Sequence, residues 1–230
     1  MIPLIGSQQT NHNEPINQKG NQQKQKITYY SNSPYLKVPR GQLTFDLEGN
    51  EGEKFFSRVA HKPPGAASGV TIGRGYDMGF RSKTEAKNDL IAAGVPESDA
   101  TLLSEAAGLR GNDAEKFLKE NDLPIISLQS QQKLFSQIVY PKYEQETKRV
   151  VKNSLGANGE EIWQKLDQKI IDVLVDLTYR GDNTPATRNH FIEPLKKNDL
   201  EGFKKKLAEG DVWQNVPPYR SQSRLLYLDS

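Results

Sequence analysis

The sequence predicts an α+β fold in which a small sheet lobe precedes a larger helical lobe, and three observations point to it. Asn and Gln crowd the first thirty residues, β-branched and aromatic residues gather in short runs before residue 80, and apolar residues recur at helical spacing through most of the remaining chain. The first stretch is a flexible tail. Ten of the twenty residues from Ser7 to Lys26 are Asn or Gln and Ile16 is the only aliphatic, so little there offsets the entropy of ordering. Residues 1–38 are assigned to this tail, with Tyr29, Tyr30 and Tyr35 as anchors on the body, and residues 39–230 to the folded part.

Within the folded part, Leu43 and Leu47 are four apart and Gly49 follows, which predicts a short helix ending near Glu48. Phe55 to Val59 and Gly69 to Tyr76 read as strands on either side of a Pro63-Pro64-Gly65 loop. Helices are then predicted over 84–93, 97–107, 112–121, 128–153 with a break at Pro141, 160–180, 190–208 and 217–228. The 160–180 segment carries Ile162, Leu166, Ile170, Val173, Leu174 and Leu177 on one stripe and is expected to be the buried central helix.

Composition excludes several classes. The longest apolar run, Ile170 to Leu177, is interrupted by Asp172 and Asp176 and is far shorter than the roughly 20 residues of a bilayer helix. Lys and Arg total 31 against 29 Asp and Glu, a net +2 that belongs to the tail and does not favour nucleic acid. The chain has no cysteine, so disulfides, thiolate zinc sites and Cys nucleophiles are out. His12, His61 and His190 are isolated, and no metal or other cofactor is expected. No G-x-S-x-G elbow is present. The Met1 to Gly6 start has neither a basic region nor an apolar core of Sec type, so export is expected to use another route.

Three motifs could carry chemistry. Glu48 at a helix end beside Leu47 sits where a carboxyl holds its proton more readily, which suits an acid that protonates a glycosidic oxygen, and Glu51 is its local rival. The segment from Thr71 to Gly79, TIGRGYDMG, offers glycines for close approach of a polymer and the polar groups of Thr71 and Asp77. Its G-x-G-x-x-x-G spacing is not that of a dinucleotide fingerprint, and a tight turn capped by Asp77 explains it equally well. Near the C-terminus, Arg220 and Arg224 lie one turn apart behind Trp213, Pro217 and Pro218.

In chain order these residues resemble the phage-type lysozymes and the related muramidase domain of pesticin. Glu48-Gly49 resembles the catalytic Glu-Gly at a helix end, and Thr71 to Tyr76 the T-I-G-x-G strand whose Thr lies at the active site. Ile126 to Phe135 resembles the start of the helical lobe, Ile170 to Gly181 the central helix, and Trp213, Pro217 and Arg220 the closing segment whose Arg pairs with the Glu. The resemblance spans residues 41–230, and the spelling LTFDLEGN with GVTIGRGYDMG is similar to lysozyme-like domains of secreted bacterial effectors, including type VI cargo.

The resemblance implies a lysozyme-like fold and an N-acetylmuramidase that cuts the β-1,4 bond of peptidoglycan. It implies Glu48 as general acid, Thr71 and Asp77 as partners in positioning water, and Arg74, Tyr76 and Arg220 as substrate-binding residues. A monomer acting in the periplasm or cell wall of a target bacterium is expected, with a cognate immunity protein as partner and without nucleic acid or membrane insertion. The family's Asp six residues before the Thr is absent: that position is Gly65, and no Asp lies between Glu48 and Thr71, which are 23 residues apart. Asp77 is therefore the candidate second carboxylate, with Glu51 and Glu53 behind it. If none serves, lytic transglycosylation or a non-catalytic peptidoglycan-binding module becomes the reading. Removal of Arg220 is expected to lower activity while leaving the fold near intact.

Overall fold

The computed structural model describes residues 33–49, 51 and 57–230. It is mostly helical with one small sheet, an α+β arrangement. Most of the assigned tail, including Tyr29 and Tyr30, lies outside the described residues, but residues 33–38 correct its boundary. A 3-10 turn at Pro34–Leu36 is tied down by Gln132, whose amide donates to the Pro34 and Lys37 carbonyls, and by Gln42, which donates to Leu36 and accepts from the Val38 amide. Leu36 and Val38 pack on the core, and Tyr35 stays exposed.

Helix α1, Gln42–Leu47, ends as the residue pattern requires. Glu48 is its C-cap and its amide donates to the Thr44 carbonyl at 3.0 Å. Its buried face is Leu43, Thr44 and Phe45, with the Phe45 ring edge-on to Phe135 at 5.1 Å between centroids. Full burial of a Phe is worth about 1.5–3 kcal/mol, enough to fix a six-residue helix that could not form alone.

The sheet is smaller than the expected pair of strands. β1 (Thr71–Ile72) and β2 (Tyr76–Asp77) form one antiparallel hairpin in which Thr71 faces Asp77 and Ile72 faces Tyr76. Gly73 (φ 64°) and Gly75 (φ 87°) reverse the chain, so the stretch read as one strand is two strands and a turn. Residues 57–59 form a turn rather than a strand, and Phe55 and Phe56 lie outside the described residues. Paired backbone bonds between His61 and Thr71, at 2.9 and 2.7 Å, extend the ladder by a single bridge.

The helical part runs through α2 (Lys83–Ala92), α3 (Glu97–Ser104), α4 (Gly111–Glu120) and α5 (Leu128–Leu134). It continues through α6 (Tyr140–Leu155), α7 (Gly159–Lys165), α8 (Gln168–Arg180), α9 (Pro185–Asn189), α10 (Ile192–Lys197), α11 (Leu200–Leu207) and α12 (Pro218–Asp229). Ser82 and Ser127 cap α2 and α5. A π-helical turn at Phe135–Val139, closed by the Tyr140 amide donating to the Phe135 carbonyl, joins α5 to α6, and Pro141 sits in the first turn of α6.

The predicted 160–180 helix is two. Leu166 is extended and Asp167 caps α8 by accepting from the Lys169 amide, so the central helix is α8 alone. Ile170 to Leu177 are all buried in α8, Asp172 and Asp176 included. The predicted 190–208 helix is likewise α10 and α11, separated by Asn198 in the left-handed region. Among the described residues no helix is long and apolar enough to cross a membrane, and no group of three or more His, Asp or Glu could hold a metal ion.

Candidate functional site

At the C-terminal end of α1 the Glu48 carboxylate accepts from Arg220 Nη1 at 2.7 Å. Arg220 comes from the first turn of α12 and is itself fixed from behind. Its Nε and Nη2 donate to the two oxygens of Asp176 on α8, at 3.2 and 2.6 Å. Asp176 is fully buried and also accepts from Arg224 Nε at 2.7 Å, and Arg224 Nη2 reaches Asp182 at 2.9 Å. Arg180 closes the chain on Asp182 at 2.5 Å. Burial works against the charge of Arg220, but Asp176, then Glu48, more than reverse this and push its pKa above the usual arginine value. Glu48 keeps 23% of its side chain exposed, so at this end of the chain of charges it is the group open to a ligand, while Arg220, Asp176 and Arg224 behind it are buried.

The hairpin is brought to the same place. Gly75 sits so close to Tyr179 that a Cβ there would overlap the Tyr179 hydroxyl oxygen. Tyr179 packs on Tyr143 of α6, 4.7 Å between ring centroids. Burial, then the Glu48 charge, hold the Tyr179 hydroxyl well above the normal tyrosine pKa. The Tyr143 hydroxyl is raised by burial, then by the charge of Asp77, then by that of Glu48. Asp77 Oδ1 accepts from the Gly79 amide at 2.7 Å and Oδ2 from the Gly69 amide at 3.5 Å, so the turn-capping reading of Asp77 holds. Thr71, its cross-strand neighbour, is 5% exposed and its hydroxyl has no hydrogen-bond partner in the structure.

Two of the expected substrate-binding residues lie elsewhere. Arg74, at the hairpin tip, is 5% exposed and its guanidinium stacks over Phe45 at 3.8 Å. It donates to the Phe45 carbonyl and to Glu51 Oε1 at 3.2 Å, so it ties the hairpin to α1 instead of lining a groove. Tyr76 is fully buried, with Arg81 over its ring and its hydroxyl on Asp89 at 2.7 Å. The cause in both cases is the turn: a hairpin through Gly73-Arg74-Gly75 sends Arg74 towards α1 and Tyr76 inward. Glu51, the rival acid, is 8% exposed and saturated, accepting from Arg58 at 3.0 Å, Arg74 at 3.2 Å and Gln131 at 2.5 Å. Glu53 lies outside the described residues.

Sequence reasoning missed Asp176, Tyr143 and Tyr179. Tyr143 and Tyr179 left no local signal. Asp176 did: an aspartate in the most apolar run of the chain must find a cation, and Arg220 and Arg224 repeat its helical spacing at the other end of the sequence.

Residues 41–225 match the model of a family described as a domain of unknown function, DUF8812, and the chain belongs to that family. No curated protein matches the chain.

Proposed function

We propose that this DUF8812 member is a lysozyme-like N-acetylmuramidase that hydrolyses the β-1,4 bond between N-acetylmuramic acid and N-acetylglucosamine in peptidoglycan. The observation that carries the reading is the meeting of Glu48 with Arg220 beside the hairpin that bears Thr71 and Asp77. In this reading Glu48 gives its proton to the departing glycosidic oxygen as the bond to the muramic C1 breaks. A water adds to C1 and its proton passes to Asp77. The unpartnered Thr71 hydroxyl, on the same face of the hairpin as Asp77, is the group free to hold that water.

Arg220 orders the Glu48 carboxylate before the glycan enters and receives it again after proton transfer. The glycan-facing side chains are then Glu48, Asp77 and Tyr143, and Arg74 and Tyr76 support the hairpin from inside. Delivery outside the producing cell to the wall of a target bacterium, and a cognate immunity protein, belong to the same proposal.

Zymography on sacculi tests it. The wild type clears and Glu48→Gln does not; sedimentation with sacculi without clearing would overturn hydrolysis in favour of a binding module. Mass spectrometry of the released muropeptides distinguishes the chemistry, because hydrolysis leaves a reducing muramic end and transglycosylation an anhydro one.

A further inference from the structure

An arginine hydrogen-bonded to a general acid is a paradox. A full positive charge at 2.7 Å favours the carboxylate, yet the acid must hold a proton when substrate is bound. The chain of charges behind Arg220 resolves it. We propose that Asp176 is a positioning residue that offsets the charge of Arg220, so that Glu48 meets a fixed hydrogen-bond donor instead of an uncompensated cation. The inference rests on the muramidase reading for its kinetic consequence and on geometry for its origin.

The geometry is a two-point grip. Asp176 takes Nε and Nη2 of Arg220, which leaves Nη1 alone to point at Glu48. A guanidinium held at two nitrogens cannot swing to embrace the Glu48 carboxylate with two donors, the arrangement that would stabilise the charged form most. Asp176 is inaccessible to solvent, so its negative charge acts on Arg220 and Glu48 with little screening. Arg224 shares Asp176 but is itself offset by Asp182, and Asp182 by Arg180, so the signs alternate outward from Glu48. The other polar groups facing Glu48 are Tyr179, Tyr143 and, at longer range, Arg74, whose own charge is met by Glu51. A purely cementing role explains the cluster poorly, because buried ion pairs are weak stabilisers compared with apolar packing of the same volume.

The test is Asp176→Asn in the full chain, read two ways. With glutamate carboxyls labelled with carbon-13 and the Glu48 signal assigned by its loss in Glu48→Gln, the variant's Glu48 carboxyl is expected to lose its proton about one pH unit lower than in wild type. The alkaline limb of sacculus clearing should move down by the same amount, so that rates above it fall about tenfold. A structural role alone would lower thermal stability and leave both midpoints in place, and unchanged midpoints overturn the proposal. If Asp176→Asn does not fold, Asp176→Asn/Arg224→Met removes one charge of each sign and is expected to give a smaller move that is still downward, because Asp176 lies nearer to Arg220 and Glu48 than Arg224 does. Asp182→Asn, at the partly exposed end of the chain of charges, should give a smaller one in the same direction. Wild type that leaves sacculi intact but shows the carboxyl shift refutes the muramidase reading and keeps this one. Wild type that clears sacculi with no shift does the reverse.

Discussion

Substitution of Gly75 by alanine tests how the hairpin is seated. Two costs apply. Gly75 has φ 87°, and a residue with a Cβ pays about 1–2 kcal/mol in the left-handed region. The added Cβ would also run into the Tyr179 hydroxyl oxygen and lie 2.7 Å from Cζ, an overlap that forces the ring or the turn to move and adds about 1–3 kcal/mol. Gly73, two residues earlier at φ 64°, has its nearest neighbour at 3.6 Å, so alanine there carries the backbone cost alone. At about 2–4 °C per kcal/mol, Gly73→Ala should lower Tm by about 4 °C and Gly75→Ala by about 10 °C in a calorimetric scan. In a Tyr179→Ala background the excess should vanish, leaving Gly75→Ala no worse than Gly73→Ala. Equal losses for the two glycines in the wild-type background would refute the contact between the turn and Tyr179, and with it the placement of the hairpin over Glu48.

Arg220→Ala should abolish most clearing of sacculi and, contrary to the near-intact fold expected from sequence, also cost about 3–5 kcal/mol in a urea titration, because it leaves buried Asp176 with Arg224 alone. Glu51→Gln should lower Tm by loosening Arg58 and Arg74, while kcat measured well below the new Tm stays within a factor of a few of wild type. Folding stability should fall as pH rises above about 10, where tyrosines of the unfolded chain ionise. Tyr76, Tyr140 and Tyr179 are all raised, mainly by burial, and stay protonated in the native state. The unfolded chain then binds fewer protons than the native one, so the slope is negative, about 4 kcal/mol per pH unit for three such groups, and a flat urea midpoint between pH 9 and 11 would contradict it.

The helices were legible where chemistry marks their ends. Ser82 and Ser127 cap, Pro217-Pro218 opens α12, and the apolar stripe of α8 is unmistakable. The break at Leu166-Asp167 was hidden because the stripe runs through it in phase, and only the cap on Asp167 reveals it. The sheet was misread for a local reason: alternating glycines fit a strand open to a ligand and a turn alike, and long-range packing on Tyr179 decides for the turn. Glu48 was legible from Gly49 and the helix spacing. Glu51 was not separable from it by sequence, since its partners Arg58, Arg74 and Gln131 lie up to 80 residues away.

The contrast between those two carboxylates is what favours Glu48 over Glu51 as the proposed acid. A general acid must change protonation state in every turnover and must touch the substrate. Glu51 can do neither cheaply: both its oxygens are occupied by three donors, two of them guanidinium groups, and almost none of it meets solvent. Glu48 receives one guanidinium hydrogen bond, from an arginine whose charge is answered by Asp176, and retains an exposed edge. The same reasoning separates Asp77 from Asp172. Asp172 is buried under the hydroxyls of Tyr140 and Tyr227 and an amide of Gln168, which uses both oxygens inside the protein. Asp77 is oriented by two backbone amides, keeps lone pairs for a water, and lies beside a hydroxyl with no partner of its own. Of these four carboxylates, Glu48 and Asp77 are the pair whose oxygens are not all engaged by side chains of the protein, and the proposed mechanism rests on that difference.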